Sequence, residues 1–124
     1  MRPRVPRAFV TNDQAQIDEV VRTFFAAFTS GSDIESRLDG LREVLLPEAL
    51  IVRTCGAPTS YDVDGFIEPR RQLLTSGRVT DFREWEVDGA TTVHGNIAHH
   101  WCTYAKQWVE RGEQVTRWAA QARR

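Results

Sequence analysis

The stretch Gly95-Asn96-Ile97-Ala98-His99-His100-Trp101-Cys102-Thr103-Tyr104 constrains the fold more than any other part of the chain. It follows a turn signal, Asp88-Gly89, and reads as a long strand. Successive strand side chains point to opposite faces. Ile97, His99, Trp101 and Thr103 therefore share one face, and Ala98, His100, Cys102, Tyr104 and Lys106 share the other. An antiparallel sheet commonly leaves one face polar and wet, whereas this strand carries aromatic or imidazole groups on both. One face must serve a core or pocket, and the other a helix layer or a partner subunit. The small residues among polar tips around His100 suit a pocket wall, and the Trp101 set suits packing. Alternation alone leaves open which of His99 and His100 faces inward.

Upstream, the chain is helical in pattern. Residues 1–10 hold three Arg and two Pro and read as a flexible basic arm. Thr11-Asn12-Asp13 offers N-cap side chains, and Ile17, Val20, Val21, Phe24, Phe25 and Phe28 then recur at helical spacing up to Ser30-Gly31-Ser32. A second helix begins near Asp33, with Ile34, Leu38, Leu41, Leu45 and Leu46 in period, and stops at Pro47. Ala49 to Cys55 is a β-branched strand, and Gly56 to Ser60 a loop. Asp62 or Asp64 caps a third, short helix with Phe66, Ile67, Leu73 and Leu74 buried; Pro69 places its regular part near Glu68. Strands follow over Val79–Val87 and Asn96–Val109, with Thr91–His94 a short or bulged continuation of the first. Arg111-Gly112 marks a turn, after which Glu113–Arg117 is one more candidate strand. Helices followed by a run of antiparallel strands make an α+β domain spanning 11–124.

The chain has 124 residues, enough for one domain. Its net charge is −1, so no single-sign field draws it to nucleic acid or to an anionic membrane. No apolar run approaches the roughly 18 residues of a membrane helix, and the basic N-terminus lacks the apolar stretch that export requires. Cys55 and Cys102 are then expected to be buried, reduced thiols of a cytoplasmic protein.

The helix Ile17 to Phe28, the junction Leu45-Leu46-Pro47-Glu48-Ala49-Leu50-Ile51, Gly65-Phe66-Ile67 opening the third helix, and Gly95 to Tyr104 resemble the nuclear transport factor 2-like superfamily in its SnoaL-like branch. The resemblance covers roughly residues 13 to 110. It implies a cone, a strongly curved antiparallel sheet packed on three N-terminal helices, with a pocket for a small organic ligand at the open end. It also implies a homodimer joined through the convex sheet face. The superfamily hosts isomerases, dehydratases, cyclases, epoxide hydrolases and binding modules, so the fold alone decides no activity. In the steroid-isomerase branch the base is an Asp just past the helix-to-strand junction. Arg53-Thr54-Cys55 stands there and holds no carboxylate. The paired His of the dehydratase branch is not matched by adjacent His99 and His100, which point to opposite faces. A further departure is the tail from Gln114 to Arg124, rich in Ala and Arg with helix-forming propensity. The family's last strand is expected to be missing or replaced.

The catalytic candidates are His100 or His99 as base, since only His titrates near neutrality unperturbed, with Tyr104 as hydroxyl donor. Phe25, Arg53, Trp85 and Cys102 are the ligand-binding candidates. No metal site is expected. His94 and His100 share parity only if Gly95-Asn96 does not break the strand, and no Cys pair or His-x-x-x-His spacing occurs. The reading is a pocket protein for a small hydrophobic organic ligand, with turnover left open: one form is a cofactor-free lyase, isomerase or hydrolase-like enzyme. The alternative is a non-catalytic ligand-binding or dimerisation module.

Overall fold

The computed structural model describes residues 7–120, with side chains described over 13–119. The order of elements is α1 (Arg7–Ala26), α2 (Ile34–Val44), β1 (Ile51–Arg53), β2 (Thr59–Tyr61), α3 (Val63–Thr75), β3 (Thr80–His94), β4 (Ile97–Glu110) and β5 (Glu113–Ala120). The α+β class follows directly: three helices, a three-stranded antiparallel sheet in the order β3-β4-β5, and a separate β1-β2 pair. No described helix is long and apolar enough to cross a membrane.

The core lies between the helices and the lower part of the sheet. Ala27 and Phe28 of the chain leaving α1, Ile34, Leu38 and Leu41 of α2, and Val63, Phe66, Ile67 and Leu74 of α3 meet Val79 and Phe82 at the start of β3. Leu38, Leu41 and Ile67 are fully buried. Phe82 stacks on Trp108 of β4, with ring centroids 5.6 Å apart. This fixes the inner face of the sheet, the one that carries Trp108 and turns toward the helices. Ser30 ties the two layers together. Its backbone N–H donates to the Phe82 carbonyl at 3.0 Å, and its hydroxyl accepts from the Phe82 N–H at 2.8 Å. Beyond this zone the β3–β4 hairpin runs on with residues 92–99 exposed.

Several expectations are corrected. Residues 7–10 belong to α1 rather than to a loose arm, because nothing from Arg7 to Thr11 stops a helix and Ala8 favours one; residues 1–6 lie outside the described residues. The loop expected at 56–60 contains β2, which pairs Thr59 with Arg53 and Tyr61 with Ile51. Helix α3 starts five residues before Glu68, at Val63, with Pro69 inside it. Asp62 caps it through a 2.8 Å bond from the Gly65 N–H. Interior proline costs about 3 kcal/mol. Burying Val63, Phe66 and Ile67 returns roughly 1.5–3 kcal/mol each, so the longer helix wins. Asp88-Gly89 is not a turn but part of a continuous β3.

The tail is the largest correction. Glu113–Ala120 is a full strand, paired from Glu110↔Glu113 to Thr103↔Ala120. Ladder bonds and cross-strand packing outweigh the helical propensity of its Ala and Arg residues, since propensity yields to tertiary context. Residues 121–124 lie outside the described residues. The hairpin before it closes on Arg111-Gly112, both with positive φ (54° and 77°), the backbone of a type I′ turn. Cys55, expected to be buried, is exposed just beyond β1; Cys102 is buried, and both are free thiols.

Candidate functional site

A one-residue β-bulge decides which side chains meet. In the β3–β4 ladder Glu86 pairs with Tyr104 but Asp88 pairs with Thr103, so Val87 is extra on β3. A shift of one residue sends every side chain beyond it to the other face. Above the bulge, Thr91 opposes His100 and Gly89 opposes Cys102; below it, Glu86 opposes Tyr104 and Glu84 opposes Lys106. Directly opposed residues share a face. Thr91, Gly89, Glu86, Glu84, His100, Cys102 and Tyr104 therefore all look inward.

On this face the His100 ring is held at both nitrogens. Nε2 lies 2.5 Å from Glu86 Oε2, and Nδ1 lies 2.7 Å from the Thr91 hydroxyl. With Nε2–H donating to the carboxylate, the Thr91 O–H donates to Nδ1. The imidazole side chain is 19% exposed and the carboxylate 30%. The Cys102 sulfur completes a group in which all three candidate ligand atoms lie within 4.8 Å of one another. Burial, and next the Glu86 charge, push the Cys102 thiol up to about 11. Gly89 makes the close approach possible. A Cβ there would overlap the Glu86 carboxylate and stand 3.0 Å from His100 Cε1.

A second group lies nearer the helices. Tyr104 packs its ring against Phe25 of α1, centroids 5.4 Å apart. Burial and then Glu84 raise its pKa, so its hydroxyl stays a donor through the neutral range. Arg70 of α3 lies 3.8 Å over the Phe66 ring and donates to the Phe66 carbonyl at 2.9 Å. Burial lowers its pKa, against the opposing charge of Glu84. Glu84 is itself raised by burial, with Lys106 and Arg70 opposing.

The residues singled out in the sequence divide sharply. His100, Tyr104, Cys102 and Phe25 come together on the inner side. Arg53 is exposed at the end of β1, though its charge reaches Arg70. His99 opposes Thr92 on the other face and is exposed. Trp85 also faces outward, under the guanidinium of Arg83 at 4.2 Å, because it sits below the bulge. It pairs with Ala105, which pairs in turn with Trp118, and this row continues to Trp101 and Ile97 on the same face. Trp118 is 69% exposed, Ile97 62% and Trp101 55%. Asp62 is spent as a helix cap, Asp64 on Arg42, and Glu68 on Arg71.

Glu86, Thr91, Arg70 and Glu84 are inner groups that the sequence pattern did not single out. Thr91 was accessible from the hairpin count, since a two-residue Gly95-Asn96 loop puts it opposite His100. Two clefts of about 320 Å³ among the described residues lie elsewhere, one beside Ser30, Phe82 and Trp108 and the other beside Arg42 and Val63. The first holds no linked titratable groups, and the second holds only the exposed Arg42–Asp64 ion pair, so the part-buried hydrogen-bonded cluster at His100, not the cleft volume, marks the candidate site.

In comparison with known proteins the chain matches no family model, no curated protein and no solved structure.

Proposed function

We propose that this chain is a SnoaL-like small-molecule protein of the nuclear transport factor 2-like superfamily, carrying out cofactor-free proton transfer of the lyase or isomerase type on a small hydrophobic organic ligand. The Thr91–His100–Glu86 chain of hydrogen bonds carries this reading. Glu86 fixes the imidazole in the tautomer with its proton on Nε2 and lies against the charge formed when Nδ1 takes a proton. The Thr91 hydroxyl occupies the approach to Nδ1, so a ligand C–H or O–H acid either displaces it or relays through it. Tyr104, protonated and on the same face, is the donor for a ligand carbonyl. Phe25 and the stacked Arg70 supply apolar and cationic contacts beside it.

The test uses a panel of small aromatic ketones and lactones in D2O with the full chain, followed by proton NMR. Loss of the α-proton signal by exchange, abolished in His100→Gln and slowed in Tyr104→Phe, is the expected result. Exchange that is unchanged in His100→Gln refutes the reading.

The outer face favours a second element of the proposal. Its exposed Trp101, Trp118 and Ile97 form an apolar row on an otherwise regular sheet, and such patches mark interaction surfaces. In the homodimer that the resemblance implies, placed in the cytoplasm by the reading of its thiols, this face meets its copy. If no ligand of the panel binds and the dimer forms, the non-catalytic dimerisation reading replaces the enzymatic one.

A further inference from the structure

We infer that Glu86, His100 and Cys102 form a binding site for a zinc-class divalent cation, with Thr91 as the outer partner that orients the histidine. This goes beyond the proton-transfer reading and does not rest on it. The donor set is one carboxylate oxygen, one imidazole nitrogen and one sulfur, all mutually within 4.8 Å. A thiolate with an imidazole selects zinc and its softer neighbours over magnesium and calcium, which demand oxygen. Three protein ligands leave a fourth position for water, the open form of a zinc site.

The separation of the carboxylate and the imidazole is close to what coordination needs. Two ligands about 2.0 Å from a tetrahedral zinc stand about 3.3 Å apart, against 2.5 Å between Glu86 Oε2 and His100 Nε2. A separation of under about 1 Å is within the side-chain freedom of a half-exposed glutamate. The other nitrogen is already provided for. Ligating histidines characteristically donate their second N–H to an oxygen, and Nδ1 faces the Thr91 hydroxyl at 2.7 Å. Gly89 adds a separate observation. Directly opposite Cys102, it holds open the space between the carboxylate and the ring that any larger residue would close.

The proton balance is definite. Nε2 gives its proton up to the solvent side as Nδ1 takes one, which leaves the ring neutral. The Cys102 thiol releases one proton and becomes a thiolate. With the Glu86 carboxylate, the two negative charges neutralise the dication, so binding releases about one proton per metal. The metal takes the place of the proton that Glu86 and His100 share, so metal binding and proton transfer exclude each other.

The experiment is a titration of the full reduced chain with Co²⁺, anaerobically at neutral pH, read by absorbance. A single equivalent is expected to bind with a thiolate-to-cobalt charge-transfer band, and one equivalent of Zn²⁺ should displace it. Cys102→Ser should remove the band, and Cys55→Ser and His99→Ala should leave it. Glu86→Gln, which keeps the shape of the side chain, should weaken zinc binding by about tenfold or more. Gly89→Ala should weaken it although every ligand remains. Circular dichroism of each variant establishes that it is folded. Absence of the band in the folded parent chain, its survival in Cys102→Ser, or its loss in Cys55→Ser overturns the proposal. No turnover is measured, so a failed titration leaves the His100-dependent exchange to be judged separately.

Discussion

Replacing Ser30 by Ala probes the joint between the helices and the sheet. The hydroxyl accepts the Phe82 N–H at 2.8 Å, and the Ser30 N–H donates to the Phe82 carbonyl at 3.0 Å. Among the described residues, these are the hydrogen bonds that join the helical layer to the three-stranded sheet. The alanine variant keeps the second bond and loses the first. An N–H left without a partner costs about 1–3 kcal/mol, depending on how far water can replace the acceptor. Phe82 is buried, which argues for the high end. However, the cleft of about 320 Å³ lined by Thr29, Ser30, Asp81 and Phe82 admits water to the site. We therefore expect a loss of about 1–1.5 kcal/mol. The assay is urea unfolding followed by circular dichroism, with an unchanged slope and a lower midpoint, because the exposed surface does not change. The preceding residue, Asp81, is held at φ 52° where β3 carries an extra residue. Ser30→Ala combined with Asp81→Gly should lose less than Ser30→Ala alone, since glycine adopts that φ freely. A Ser30→Ala chain within about 0.3 kcal/mol of the parent would refute the account of the joint, because an exposed, unimportant bond gives that result.

Other outcomes follow from single features. Arg111→Asn should stabilise by about 1 kcal/mol in the same assay, since Arg111 sits at φ 54° in an Arg-Gly turn whose backbone favours Asn-Gly. Ile67→Ala should lose about 2–5 kcal/mol, because Ile67 is fully buried between the helices and β3; thermal unfolding checks it. Trp118→Glu places a charge in the outer apolar row; if that row joins two copies as proposed, the parent chain sediments as a dimer and the variant as a monomer, with an unchanged far-ultraviolet spectrum. A disulfide reagent should titrate one thiol rapidly in the folded protein, exposed Cys55, and both in urea, because Cys102 is buried.

The helices were legible because their apolar residues keep a 3.6-residue period with clear stops. Phe24, Phe25 and Phe28 and Leu38 and Leu41 fall on the faces their spacing assigns. What the spacing could not carry was context. Pro69 reads as a helix start only if the burial of Val63, Phe66 and Ile67 before it is ignored. The Ala- and Arg-rich tail reads as helix only if β4 offers it no edge, yet eight residues pair there. The site depended on a single unsignalled residue. Without the bulge at Val87, strict alternation through β3 would put Trp85 on the face of Thr91 and Glu86 on the opposite one. The bulge reverses both. Trp85, a ligand-binding candidate, therefore faces out, while Glu86, not among the candidates, holds His100. Composition gives no warning of such an insertion; the Asp88-Gly89 pair beside it suggested a turn, and Gly89 instead gives the carboxylate and the imidazole room to meet.

All four tryptophans stand on the three-stranded sheet, at 85, 101, 108 and 118, and α1, α2 and α3 have none. Indole emission thus reports the sheet and, through Trp108, its contact with the helical core, whereas far-ultraviolet ellipticity is dominated by the helices. Trp108 lies in the core beside Phe82, and Trp101 stands on the part of the β3–β4 hairpin that outruns the helical cover. Three of the four indoles, those other than Trp108, therefore watch a part of the molecule that ellipticity does not. Coincident melting curves would mean that the projecting hairpin and the helical core unfold as one cooperative unit, and emission changing first would mean that the sheet frays while the core persists.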